Sequence, residues 1–238
     1  MNLKDKTYLV VGGSHGIGAE LVTQLTEAGA EVICWSRTEP ENTSSKLRYS
    51  QVDILDHNND LPTIEGKLHG LAYCPGSINL GSFPRLKLEA FEQDLELNLL
   101  GAVRVLQHCI KALSAAGADG GASVLLFSTV AVRVGLPFHA SIAAAKGAVE
   151  GLVRSLAAEY APKNIRFNAI APSLTDTPLA AGLLADDKKR EASAERHPLK
   201  RVGNPKETAS TGVHLLSPNA AWITGQVIAI DGGMSALR

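Results

Sequence analysis

The chain has 238 residues, of which 45% are apolar and 20% charged, proportions that suit a folded domain of ordinary size and exclude a disordered or coiled-coil chain. Lys plus Arg number 23 against 24 for Asp plus Glu, a net charge of −1. That balance argues against nucleic acid or an anionic membrane as the main partner.

Short apolar runs alternate with stretches of helical spacing. Residues 7–11 predict a first strand, closed by Gly12-Gly13. Ile17, Leu21, Val22 and Leu25 predict a helix over 16–28, ended by Gly29. Residues 31–35 and 48–52 read as the second and third strands, with the polar stretch 38–46 as a loop. A fourth strand, 70–74, stops at Pro75-Gly76. Leu95, Leu99, Val103, Leu106 and Ile110 predict a long helix over 91–116, followed by a strand over 123–127. The Ala-rich segment 141–160 reads as a helix closed by Pro162, and 165–170 and 226–230 complete the strands. Segment 178–198 is small and charged, interrupts the pattern, and is expected to be a mobile flap.

Unbroken apolar strands suit a sheet buried on both faces. Strand–helix alternation predicts an α/β architecture: a doubly wound, seven-stranded parallel sheet flanked by helices on both faces, with residues 1–238 as one domain. No run approaches the ~20 apolar residues of a membrane span. Residues 1–6 are polar and show no leader. Cys34, Cys74 and Cys109 are odd in number and lack ligand spacing, so reduced thiols, no zinc site and a cytoplasmic protein are expected.

Between the first strand and helix stands Gly12-Gly13-Ser14-His15-Gly16-Ile17-Gly18. Gly12 permits a tight turn, Gly16 lets the backbone approach a pyrophosphate, and Gly18 lets helix and strand pack closely. The helix N-terminus behind them offers N–H groups and partial positive charge to phosphates.

The spacing Gly12-x3-Gly16-x-Gly18 resembles that of the short-chain dehydrogenase/reductase family, and the resemblance runs through nearly the whole chain. Asp53-Ile54 matches the family's adenine contact. Gly76 ends the segment that reads Asn-Asn-Ala-Gly in the family, and Asn98 matches the structural and catalytic Asn of the long central helix. Asn168-Ala169-Ile170-Ala171-Pro172 resembles the Pro-Gly motif, Thr177 the residue that touches the carboxamide, and Ile223-Thr224-Gly225-Gln226 through Asp231-Gly232-Gly233 the C-terminal signature. The resemblance implies a Rossmann-type fold and hydride transfer between a nicotinamide and a carbonyl or alcohol. It implies that Ser14, His15, Ile17 and Pro172 join the glycines and Lys146 in the cofactor pocket. It also implies a homotetramer or homodimer, built on the apolar faces of the two long helices and on the C-terminus near Trp222.

In members preferring NAD an acid after strand two binds the ribose diol; here Ser36 is followed by Arg37. An Arg forms paired hydrogen bonds with a 2′-phosphate, and His15 adds charge when protonated. NADP(H) is therefore expected over NAD(H).

The family's proton donor is a Tyr four residues before its Lys, with a Ser thirteen before the Tyr. Lys146 fits the Lys, but the Tyr position reads Ile142 and the Ser position Thr129. Ile has neither donor nor acceptor, and loss of a general acid lowers rates by ~10²–10⁴. Further departures are Val11 before the first glycine, Tyr73-Cys74-Pro75, and Ser173 for the Gly of the Pro-Gly motif. His139, or a water held by Thr129 and Lys146, is a candidate substitute donor, while Tyr8, Tyr49, Tyr73 and Tyr160 are expected to pack. Three readings follow, the third being a chain that has lost cofactor binding as well. The first is an NADP(H)-dependent oxidoreductase using Asn98, Thr129 and Lys146 on a small apolar carbonyl or alcohol, met by Val134, Leu136, Phe138, Leu179 and Leu183. The second is an NADP(H)-binding protein without turnover, serving as a sensor or assembly subunit.

Overall fold

The computed structural model describes residues 2–237. Seven strands form one parallel sheet: β1 (Thr7–Val11), β2 (Glu31–Ser36), β3 (Leu47–Gln51), β4 (Gly70–Tyr73), β5 (Ala122–Phe127), β6 (Ile165–Pro172) and β7 (Val227–Ile230). Their order is β3-β2-β1-β4-β5-β6-β7. The chain winds outward from β1 to β3, crosses back to β4, and winds outward again to β7. The reversal leaves a crevice beyond the carboxyl ends of β1 and β4, where a doubly wound sheet binds its ligand.

Alternate residues of each strand serve opposite layers. Val10 and Leu125 join Leu21, Val22 and Leu25 of α1 (Gly16–Glu27) and Val213 and Leu216 of α7 (Pro205–Leu216). Leu9, Val124 and Phe167 join the other layer. It consists of Val105, Cys109 and Leu113 of α3 (Gly101–Gly117) and Val149 and Val153 of α5 (Ala140–Tyr160). No helix among the described residues is long and apolar enough to cross a membrane.

The long helix expected over 91–116 begins earlier, at α2 (Leu88–Leu95), passes through one π-helical turn at Glu96–Leu100, and continues as α3. Two helices of nine residues or more have no counterpart in the sequence reading. One is α7. Its Asn204, Pro205 and Glu207 form a capping box with Pro at the helix start, a signal present in the sequence. The other lies in segment 178–198, which holds a 3-10 turn (Pro178–Leu184) and α6 (Asp187–Glu195). The apolar stripe that normally betrays a helix is missing from α6, whose first residues are charged. Its N-cap does the work locally, Asp186 accepting from the Lys189 N–H at 2.8 Å. A four-residue helix, α4 (Ala131–Val134), precedes α5.

Gly18 sits against the turn that ends β1. A Cβ there would lie 2.1 Å from the Gly12 carbonyl oxygen, and the backbone cannot yield as a flexible side chain would. Gly18→Ala is expected to lower the unfolding free energy by about 1–3 kcal/mol, measured by urea denaturation, and to weaken nucleotide binding with it.

Candidate dinucleotide and reaction site

A cavity of about 820 Å³ occupies the crevice, running from the glycine loop past the ends of β4, β5 and β6. At its first end Gly12 and Gly16 hold φ of +75° and +56°, the left-handed region open to glycine. His15 at the head of α1 makes no side-chain cap bond, so the first-turn N–H groups keep their capacity for an anion. Thr177 crosses over this loop, since a Cβ on Gly16 would meet its Cγ2 at 3.2 Å. These features fit a pyrophosphate.

Beside the loop the hydroxyls form a chain. Ser36 donates to the Thr38 carbonyl at 2.8 Å, Thr38 to Ser14 at 3.1 Å, and Ser14 bonds the His15 Nδ1 at 2.9 Å. Arg37 is exposed and lines the same end, as do Ile17, Gly18, Asp53 and Ile54. Asp53 Oδ1 accepts from the Leu55 N–H at 3.0 Å, which fixes the turn after β3.

Gly76, Thr129, Ile142, Lys146 and Pro172 line the same cavity, with Thr177 reaching over the glycine loop. The structure thus brings the sequence-derived catalytic and cofactor candidates to one cavity, with a single exception. Asn98 is 1% exposed and stands behind Gly76, off the wall. A Cβ on Gly76 would lie 3.3 Å from Asn98 Oδ1 and 3.7 Å from Lys146 Nζ, so all three groups crowd one corner. Asn98 lies within the π turn, and its Oδ1 is buried without a hydrogen-bond partner among the described residues. Its amide nitrogen donates to Ser77 Oγ at 3.0 Å and the Asp94 carbonyl at 2.8 Å.

Sequence reasoning missed Asp94, which is fully buried. Its carboxyl group accepts from Ser77 at 2.5 Å, Asn79 at 2.8 Å and Ser141 at 2.5 Å. It ties α2 to the loop after β4 and to the head of α5. In the sequence Asp94 is one of four acids, with Glu89, Glu92 and Glu96, on a segment whose neighbours suggest a helix, and nothing in the spacing reveals its burial.

Lys146 is buried, and that burial pulls its pKa down from 10.5 to about 8, although Cys74 and Asp94 pull it upward. Ile142 lines the cavity one helical turn before it. No tyrosine lines the cavity among the described residues. Tyr73 donates to the Leu97 carbonyl at 2.6 Å, Tyr49 to the Ser36 carbonyl at 3.3 Å, Tyr8 is buried, and Tyr160 packs on Phe167. His139 stands at the head of α5 and lines the cavity, with Nδ1 2.7 Å from the Pro137 carbonyl. Leu136, Leu179 and Leu183 line the cavity; Val134 does not, and Phe138 borders a smaller adjoining pocket.

A doubly wound sheet with this cradle defines a dinucleotide-binding α/β protein. Residues 11–235 match the family model described as enoyl-(acyl carrier protein) reductase. The 2,5-dichloro-2,5-cyclohexadiene-1,4-diol dehydrogenase of Sphingobium indicum is 30% identical, over 99% of this chain and 99% of its own. The cis-4-hydroxycyclohexanecarboxylate dehydrogenase of Sinomonas cyclohexanicum is 31% identical, over 98% of each. An Agrobacterium tumefaciens protein solved with bound NADP is 28% identical with a TM-score of 0.88, covering 99% of this chain and 98% of that one. The chain belongs to the short-chain dehydrogenase/reductase family and is an oxidoreductase.

Asp94→Ala leaves the Ser77 and Asn79 donors without their acceptor, while Ser141 keeps the Ala90 carbonyl, and is expected to lower stability by about 1–3 kcal/mol, measured by denaturant unfolding. Lys146 carries the opposite sign. Its charged form is disfavoured by burial, so below pH 8 the folded state bears the full penalty, which fades as pH rises from 8 to 10.5. Lys146→Met is expected to raise the melting temperature at pH 7, with an advantage over wild type that narrows above pH 8.

Proposed function

We propose that this chain is an NADP(H)-dependent dehydrogenase/reductase that interconverts a secondary alcohol on an apolar, cyclic scaffold and the corresponding ketone. The observation that carries this reading is the placement of Lys146 and the glycine loop on the walls of one cavity. When bound, the nicotinamide nucleotide supplies hydride exchange with the substrate carbon. In this reading the glycine loop and the head of α1 hold the pyrophosphate. Ser14, Arg37 and Thr38, with His15, hold a 2′-phosphate, and Asp53 and Ile54 border the adenine. Pro172 and Thr177 position the carboxamide end. Lys146 donates to the ribose hydroxyls, with Asn98 keeping the corner around it polar. Thr129 donates to the substrate oxygen.

The apolar substrate follows from Leu136, Leu179 and Leu183 on the walls, and the cyclic scaffold from the ring alcohols that the two relatives' names carry. The preference for NADP(H) rests on Arg37 and the Ser14–Thr38 hydroxyls, with an NADP-bound neighbour as support. Segment 178–198 covers the substrate end as a lid. Exposed Leu88, Leu95 and Leu100 on α2–α3 and the fully exposed Trp222 supply apolar surface for a homodimer or homotetramer. Ile142 beside Lys146 favours a second reading, nucleotide binding without turnover.

Purified protein is expected to oxidise NADPH with cyclic ketones such as cyclohexanone. Arg37→Ala is expected to raise the Kd for NADP(H) by about 10- to 100-fold, the value of a charge-assisted paired contact, with little change for NAD(H). Calorimetry with both nucleotides checks the preference. Tight NADP(H) binding with no rate on any ketone or alcohol selects the second reading.

A further inference from the structure

A ketone that accepts hydride must gain a proton at oxygen, and an alcohol that loses hydride must give one up. Ile142 can do neither. Several hydroxyls on the cavity wall are already committed: Ser36 to the Thr38 carbonyl, Ser77 to Asp94, and Ser128 to Glu150 at 2.8 Å.

Ser173 differs. It is the first residue beyond β6 and lines the cavity. Its N–H donates to the Ile230 carbonyl at 3.1 Å, while the Pro172 carbonyl accepts from the Val130 N–H at 3.2 Å, which sets this strand end beside Thr129. Ser173 Oγ lies 2.7 Å from His197 Nε2. His197 is 2% exposed, and its Nδ1 lies 2.9 Å from the Ser193 carbonyl. A carbonyl only accepts, so Nδ1 carries the hydrogen and the neutral ring presents Nε2 as an acceptor for the Ser173 O–H. Met234 Sδ, 3.3 Å from the same Oγ, is the weaker acceptor.

Asp231 lies in the turn after β7, next to Gly232, where a Cβ would lie 3.5 Å from the His197 Cβ. Burial works against its charge, but bonds from Ser235 and Gly233 hold its pKa below the usual carboxylate range. A carboxylate there favours positive charge arriving on the ring. Hydroxyl, imidazole and a group that fixes the imidazole are the three parts that activate a serine.

We infer that Ser173 exchanges the proton of the substrate oxygen, with His197 holding that proton behind it. The inference rests on the oxidoreductase reading above and deepens it. In oxidation the alcohol O–H proton passes to Ser173 Oγ while the Ser173 proton moves to His197 Nε2. The alcohol's C–H bond breaks as its hydrogen and electron pair leave as hydride to the nicotinamide, and the oxygen lone pair closes the C=O bond. Reduction reverses each transfer: imidazolium to Ser173, Ser173 to the oxygen. The departure from the family's glycine at this position is then functional.

The first test needs no nucleotide. Purified protein is treated with p-nitrophenyl acetate and its peptides are mapped by mass spectrometry. Ser173 is expected to carry acetyl in the wild type and to lose it in His197→Asn. An unacetylated wild-type Ser173 overturns the inference. In the second test, with NADP(H) and cyclohexanol or cyclohexanone, Ser173→Ala is expected to lower kcat by about 10²- to 10⁴-fold, with nucleotide Kd within a few-fold of wild type. Ser173→Thr, which keeps the hydroxyl, is expected to restore part of the rate. Full kcat in Ser173→Ala, or a loss seen only in His139→Gln, overturns the proton role while the oxidoreductase reading stands. A wild type with acetylated Ser173 that binds NADP(H) but turns over no alcohol or ketone removes the redox reading, and the proton role with it.

Discussion

The reversal of winding between β1 and β4 is the constraint on which the rest of the molecule depends. Parallel strands buried on both faces need crossover connections, and those connections leave the sheet on opposite sides at this one point. The crevice that opens there is the cavity. Its glycine loop forms because Gly18 lets α1 pack onto the Gly12 carbonyl, and its opposite wall forms because Gly76 leaves room for Lys146 and Asn98.

Between two apolar layers the chain buries a small polar cluster. Asp94, Ser77, Asn79, Ser141 and the Asn98 amide nitrogen bond one another, which is the condition under which buried polar groups are tolerated. The cluster joins α2, the π turn, the loop after β4 and the head of α5. It therefore fixes the corner in which Lys146 sits and draws Asn98 off the cavity wall. Its members each prefer water when unpaired, so the corner is specified by mutual hydrogen bonding rather than by shape alone.

In the proposed reaction the hydroxyls come from two strand ends. Thr129 follows β5 and Ser173 follows β6, adjacent strands whose register is held by the ladder between them. Hydroxyls at the ends of neighbouring parallel strands face the same crevice, which is why chemistry in this fold concentrates there. The imidazole that meets Ser173 comes from beyond α6 and is held by the Ser193 carbonyl.

The strands were legible in the sequence because a doubly covered parallel sheet demands unbroken apolar runs, and residues 7–11, 123–127 and 165–170 carry them without ambiguity. The glycine loop was legible because glycine spacing answers a local backbone requirement. The α6 helix is illegible because its polar surface has no periodic stripe, whereas α7 carries a legible signal in the Asn204–Glu207 capping box. The amino-acid sequence by itself determined the sheet, the cradle, the Lys146 position and the absence of a phenol one turn before it. Only the tertiary structure decided that Asp94 is buried, that Asn98 lies behind the wall, and that Ser173 meets His197. Those facts depend on which residues distant along the chain become neighbours, and periodicity, spacing and composition encode what each segment does alone, not which segment it will touch.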